Sequence, residues 1–138
     1  MAYIMSEAPL SRDMDAYDEL LEILKDIDLM SQVRSLLGWD QEVMMPPKAA
    51  TLRGEQLAWI SRESHKRKTS SRIGELLDEL EENGELNEIE RANVRLAREA
   101  YVKATKLPTE FVSEMARHNS KAVISWTCLL YTSDAADD

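Results

Sequence analysis

The stretch "SLLGWDQEVMMPP", Ser35 to Pro47, decides how this chain is read. Val33, Leu36 and Leu37 mark one face of a helix, and position 40 continues that face at spacings of three and four. Asp40 holds the place, beside Trp39. Pro46 and Pro47 then stop the helix, because the residue before a proline avoids the α region. The second proline fits the first turn of a new helix. One helix ends and another starts within a few residues, which predicts an antiparallel pair.

A carboxylate on an apolar stripe needs a partner, since an isolated buried one costs several kcal/mol. Arg53, in the next helix, is within reach. Free backbone N–H groups at the start of a neighbouring helix would also favour the anion. Two readings follow: a catalytic acid, or a buried polar clamp that fixes how the two helices meet. The clamp is the reading adopted. Trp39 is expected to be largely buried at the same junction.

Working outward, the pattern predicts an all-α fold of six consecutive antiparallel helices joined by short turns. The first spans about Asp13 to Asp26, capped by Ser11, with Tyr17, Leu20, Leu21, Leu24 and Ile27 in a stripe. The second spans about Leu29 to Met44, with Met30, Val33, Leu36, Leu37 and Met44 on one side. The third, about Lys48 to Lys68, is apolar on two flanks. Leu52, Trp59 and Ile60 form one flank; Ala50, Gly54, Leu57 and Ser61 form the other, small enough to let a neighbouring backbone close in. So wide an apolar arc predicts packing on two sides.

The fourth helix, about Ser71 to Glu82, points Ile73, Leu76, Leu77 and Leu80 inward, with Gly84 in the left-handed position past its end. The fifth starts at Asn87, with Glu90 completing a capping box. Its stripe is Ile89, Ala92, Leu96, Ala100 and Ala104. Pro108 opens the sixth, which carries Phe111, Val112, Met115, Ala122, Val123 and Trp126. Residues 1–12 read as a flexible N-terminus and 13–126 as the helical region. "TCLLYTSDAADD", 127–138, lacks an amphipathic continuation and reads as a non-native tail.

The 138 residues amount to about one domain. A net charge of −9 argues against nucleic acid, whose phosphates demand surplus Lys and Arg. The cluster Lys66-Arg67-Lys68 is too short to reverse that and suits a helix C-terminus. A single cysteine, Cys128, excludes an intrachain disulfide. No apolar run is long enough to span a membrane, and the first residues are not a secretory signal, so the default compartment is the cytoplasm.

Chemistry-bearing motifs are scarce. His65 and His118 stand on different helices, and neither has a second ligand one turn away as a zinc helix requires. No Gly-rich phosphate loop and no G-x-S-x-G occurs. "DELEENGELNEIE" reads as a solvated acidic face. No catalytic, cofactor-binding or metal-ligating residue is assigned.

Taken together, Gly38 to Glu42, Met45 to Pro47, Arg53 to Leu57 and His65, after the helix "YDELLEILKDI", closely resemble the N-terminal region of the M32 metallocarboxypeptidases. "IGELLDELE" and "ATKLPTEFVSEMAR" resemble the family too. The resemblance implies an all-helical metallopeptidase that removes single residues from peptide C-termini with broad specificity. It implies a zinc or cobalt ion held by two His of H-E-x-x-H and a more distant Glu, with the motif Glu and metal-bound water as base. None of those residues is in this sequence. The chain then corresponds to the part that caps or walls the substrate groove and binds no metal alone. Its implied partners are peptide substrates and the rest of its own polypeptide; separately, the wide apolar arc of the third helix, left partly uncovered, would admit a second copy of the chain. The other reading is a free-standing, non-catalytic helical interaction module.

Overall fold

The computed structural model describes residues 15–82 and 85–134. Ser11, Asp13, the segment 1–12 expected to be flexible, and Gly84 lie outside the described residues. The described chain is all-α, with no strand. It comprises α1 (Ala16–Val43), α2 (Ala50–Lys68), α3 (Ser71–Glu82), α4 (Glu88–Thr105) and α5 (Thr109–Asp134), plus a 3-10 turn at Pro47–Ala49.

The first two predicted helices are one. α1 runs 28 residues without a break, about 42 Å at 1.5 Å per residue. Between Asp26 and Leu29 there is no Gly or Pro to stop it. Asp28 spends its carboxylate on Gln32 Nε2 one turn on, at 2.6 Å, so it serves as a helix-surface pair rather than a cap. The stop comes at Pro46–Pro47, where Met44 N and Met45 N both donate to the Asp40 carbonyl. At α4 the capping box is present in both directions: Glu90 N donates to Asn87 Oδ1 and Asn87 N donates to Glu90 Oε2.

α1 bridges two differently built halves. Its N-terminal half packs with α3 and α4 around Leu20, Ile27, Ile73, Leu76, Leu77, Leu80 and Val94, the apolar core. Burying a Leu or Ile side chain fully contributes about 1.5–3 kcal/mol, so this cluster is the main source of stability. Its C-terminal half packs on α2, and α2 packs on α5. That second half is a seam of small and polar groups: Gly54, Ala58 and Ser61 from α2 are buried, as are Ser113 and Ser120 from α5. Ser120 Oγ lies 3.7 Å from the place a Gly54 Cβ would occupy, and Ser113 Oγ donates to the Ala58 carbonyl. The small flank predicted on α2 does admit a neighbouring helix.

Three inward stripes are corrected. On α1 and at its end, Val33, Leu36 and Met44 of the second predicted stripe are exposed, because α2 covers only part of that half of the helix. On α4 the residues facing the core are Val94, Ala97 and Tyr101, while Ile89 and Leu96 are exposed. Arg98 reaches Asp78 and Glu81 of α3, and Asn93 Nδ2 donates to the Tyr17 hydroxyl. Those links turn that side of α4 toward α3 and α1. On α5, Phe111, Met115, Val123 and Trp126 are exposed, because the face against α2 is the serine face. The helix also continues past Trp126 to Asp134.

Candidate functional site

The turn at Pro46–Pro47 folds α2 back along α1 and brings Arg53 over the last turns of α1. Arg53 Nη2 donates to Asp40 Oδ2 at 2.6 Å, Nη1 donates to the Leu37 carbonyl at 2.6 Å, and Nε donates to Gln56 Oε1 at 2.9 Å. The guanidinium side chain is 13% exposed and the Asp40 side chain 35%. Arg53 is the partner that the sequence pattern offered, but the clamp is half-buried at its Asp40 end rather than buried as expected. Trp39 is not buried beside it: it is 56% exposed. Leu36, Trp39 and Val43, spaced three and four apart, share a face of α1 that the described residues leave uncovered.

The other end of the same turn of α1 is tied to α5. Gln41 Nε2 donates to the Ser120 carbonyl and Ser120 Oγ donates to Gln41 Oε1. Glu55 and Arg117 add an exposed two-pronged bridge between α2 and α5, whose hydrogen bonds hold the Glu55 carboxyl below its usual range. Glu19 is held low in the same way by Arg72, which joins α1 to α3.

His65 is buried with both ring nitrogens engaged: Nε2 lies 3.0 Å from the Ala104 carbonyl and Nδ1 2.9 Å from Thr109 Oγ1. A carbonyl only accepts, so Nε2 carries a proton. His65 thus pins α2 to the α4–α5 turn. His118 is exposed on α5, and the two histidines do not share a site. Among the described residues, no three His, Cys, Asp or Glu side chains come together in a way that could hold a metal ion. The described residues do not fit a catalytic metal.

α1 and α5 both lean on α2 and leave a groove between them. Two adjoining hollows of about 220 and 290 Å³ share Arg34, Ala116 and Asn119. Ser61, Ser64 and His65 of α2 line the first, with Leu107, Phe111 and Met115. Ser61 Oγ is buried there with no hydrogen-bond partner among the described residues. Such an orphaned hydroxyl typically costs about 1–3 kcal/mol. A separate hollow of about 380 Å³ between α1 and α2 is lined by Val33, Leu37, Leu52, Trp59 and Ile60. The first groove was not legible in the sequence. Its signal was the serines on facing helices that line it, Ser61 and Ser64 of α2 with Ser31 and Ser35 of α1 and Ser120 of α5, which composition alone presents as ordinary surface.

Residues 19–134 match the family described as Carboxypeptidase Taq (M32) metallopeptidase. The chain belongs to the M32 family. The match passes Trp126, where the sequence pattern ended the family region. Among M32 relatives, thermostable carboxypeptidase 1 of Thermus thermophilus is 33% identical over 114 residues, 80% of this chain and 22% of that protein. Carboxypeptidase 1 of Bacillus subtilis is 30% identical over 109 residues, 78% of this chain and 22% of that protein. Thermostable carboxypeptidase 1 of Pyrococcus furiosus is 29% identical over 108 residues, with the same shares. The chain therefore spans about a fifth of the length of these M32 proteins. No solved structure matches it.

Proposed function

We propose that this chain is the N-terminal helical cap or wall of a metal-dependent carboxypeptidase that removes single residues from peptide C-termini in the cytoplasm. The observation that carries the proposal is the M32 match over residues 19–134. In this reading the zinc or cobalt ion and its ligands belong to polypeptide outside these residues. The helices described here contribute shape and rigidity, through the Asp40–Arg53 clamp and the His65 pin, and do not contact the reacting atoms.

The test is direct. The purified chain is incubated with zinc or cobalt and a blocked peptide, and release of the C-terminal residue is measured. The expected result is no chelator-sensitive release. A complete M32 enzyme carrying this region should show it. Metal-dependent release by the chain alone would overturn the proposal. So would a native reading frame that stops without an H-E-x-x-H, which would leave a helical interaction module.

A further inference from the structure

The groove between α1 and α5 has three properties that a solvated surface does not need. Its lining includes two cations, Arg34 and Lys68, neither of which has an ion-pair partner among the described residues, in a chain of net charge −9. Glu42 lines the adjoining hollow, which shares Arg34, and no acidic side chain lines the one that holds both cations. Ser61, only 7% exposed, has its hydroxyl unpaired in the same hollow. Leu107, Phe111 and Met115 lie along it, and all three are exposed. With the adjoining hollow it runs as one groove between two helices, which suits side chains presented by a docking segment.

We infer that this groove seats a segment from the rest of the M32 polypeptide, one that inserts apolar side chains along Phe111 and Met115, meets Arg34 and Lys68 with a carboxylate, and gives Ser61 its hydrogen bond. The inference rests on the proposed function, because the occupant is drawn from the larger protein. Two observations select that occupant. The relatives hold most of their length outside the matched region, which in the proposed reading is the chain available to cover the groove. The unpaired cations and the absence of acids in the hollow fit an acidic, apolar segment, the helix-in-groove mode of recognition. Opposite charges left unpaired across such a contact would cost affinity, which makes the pairing selective.

The experiment uses the full 138-residue chain, labelled for amide NMR, and overlapping peptides tiled across the remainder of the Thermus thermophilus thermostable carboxypeptidase 1 sequence. The expected result is that a peptide combining apolar residues with an acid shifts the amides of Ser61, Phe111 and Met115. Arg34→Glu with Lys68→Glu should weaken that binding at least tenfold, and Ser61→Ala severalfold. Circular dichroism should show unchanged helicity in each variant. Binding that survives the charge reversal overturns the groove assignment alone and leaves the carboxypeptidase reading standing. No binding by any peptide overturns it too. Self-association of the chain in sedimentation, abolished by the same reversal, would replace the occupant with a second copy and also overturn it. Failure of the carboxypeptidase reading is read separately, from the activity of the complete enzyme.

Discussion

Gln41 and Ser120, 79 residues apart in sequence, exchange two hydrogen bonds: Gln41 Nε2 donates to the Ser120 carbonyl at 2.9 Å, and Ser120 Oγ donates to Gln41 Oε1 at 3.0 Å. The pair closes α1 onto α5, while α1 and α5 each pack on α2. Each bond contributes about 0.5–1.5 kcal/mol net. Gln41→Ala loses both and should lower the stability by about 1–2 kcal/mol. Ser120→Ala, which keeps the backbone bond, should cost less. The double variant should cost little more than Gln41→Ala alone, because the two residues share one interaction. Urea denaturation measures all three, and strict additivity would show that the pair is not coupled.

Asp40 tests the clamp. Asp40→Asn removes the charge that answers Arg53 while the Leu37 carbonyl and Gln56 still hold the guanidinium. The expected loss is about 1–2 kcal/mol. In a complete enzyme carrying this region, turnover of the folded protein should hardly change. A thousandfold drop in kcat with normal stability would move Asp40 to the reacting centre.

Gly38 and Gly74 should answer differently to alanine. A Cβ on Gly38 would meet nothing within 4 Å, so the helix interior carries a glycine that packing does not require. Gly38→Ala is expected to stabilise by about 0.5–1 kcal/mol. A Cβ on Gly74 would stand 2.9 Å from the Tyr101 hydroxyl oxygen and 3.3 Å from its ring. Gly74→Ala must displace Tyr101 from the core edge and should gain nothing or destabilise. Thermal melts of the two variants decide it.

Acid should loosen the bundle through its inter-helix carboxylates. Arg72 lowers Glu19 and Arg117 lowers Glu55 beneath the ordinary 4.5. Groups with a depressed folded pKa stabilise fully above the unfolded value and lose that contribution as pH falls through the folded one. The melting temperature is therefore expected to be flat above about pH 5 and to fall below about pH 4.5. Arg72→Gln and Arg117→Gln should make the fall shallower. An unchanged slope in both would remove these bridges from the acid response.

How legible all this was depended on what buries each stretch. α3 was read correctly because Ile73, Leu76, Leu77 and Leu80 face one apolar core, where the helical period has a single answer. Asn87 with Glu90, and Asp40 with Arg53, were readable because local chemistry left each group few partners. α4 misled because both of its sides carry apolar residues. The choice of Val94 and Tyr101 over Ile89 and Leu96 was made by α3 and α1, through Arg98 and Asn93. Trp39 misled because large aromatic residues usually seek cover, and this one lies on a face the described helices leave open. Of the groove, only the small residues of α2 were foreseeable, since an unpaired serine or cation is invisible without its surroundings.

The single long helix α1 has one further consequence. Its geometry is continuous from Ala16 to Val43, but the material around it is not. Leu20 and Ile27 sit in the apolar core, while Leu36 and Val43 stand in the open. Hydrogen exchange should therefore run as a gradient along one rod, slow at the amides near Leu20 and Ile27 and fast toward Met44, with α5 opening alongside the fast end.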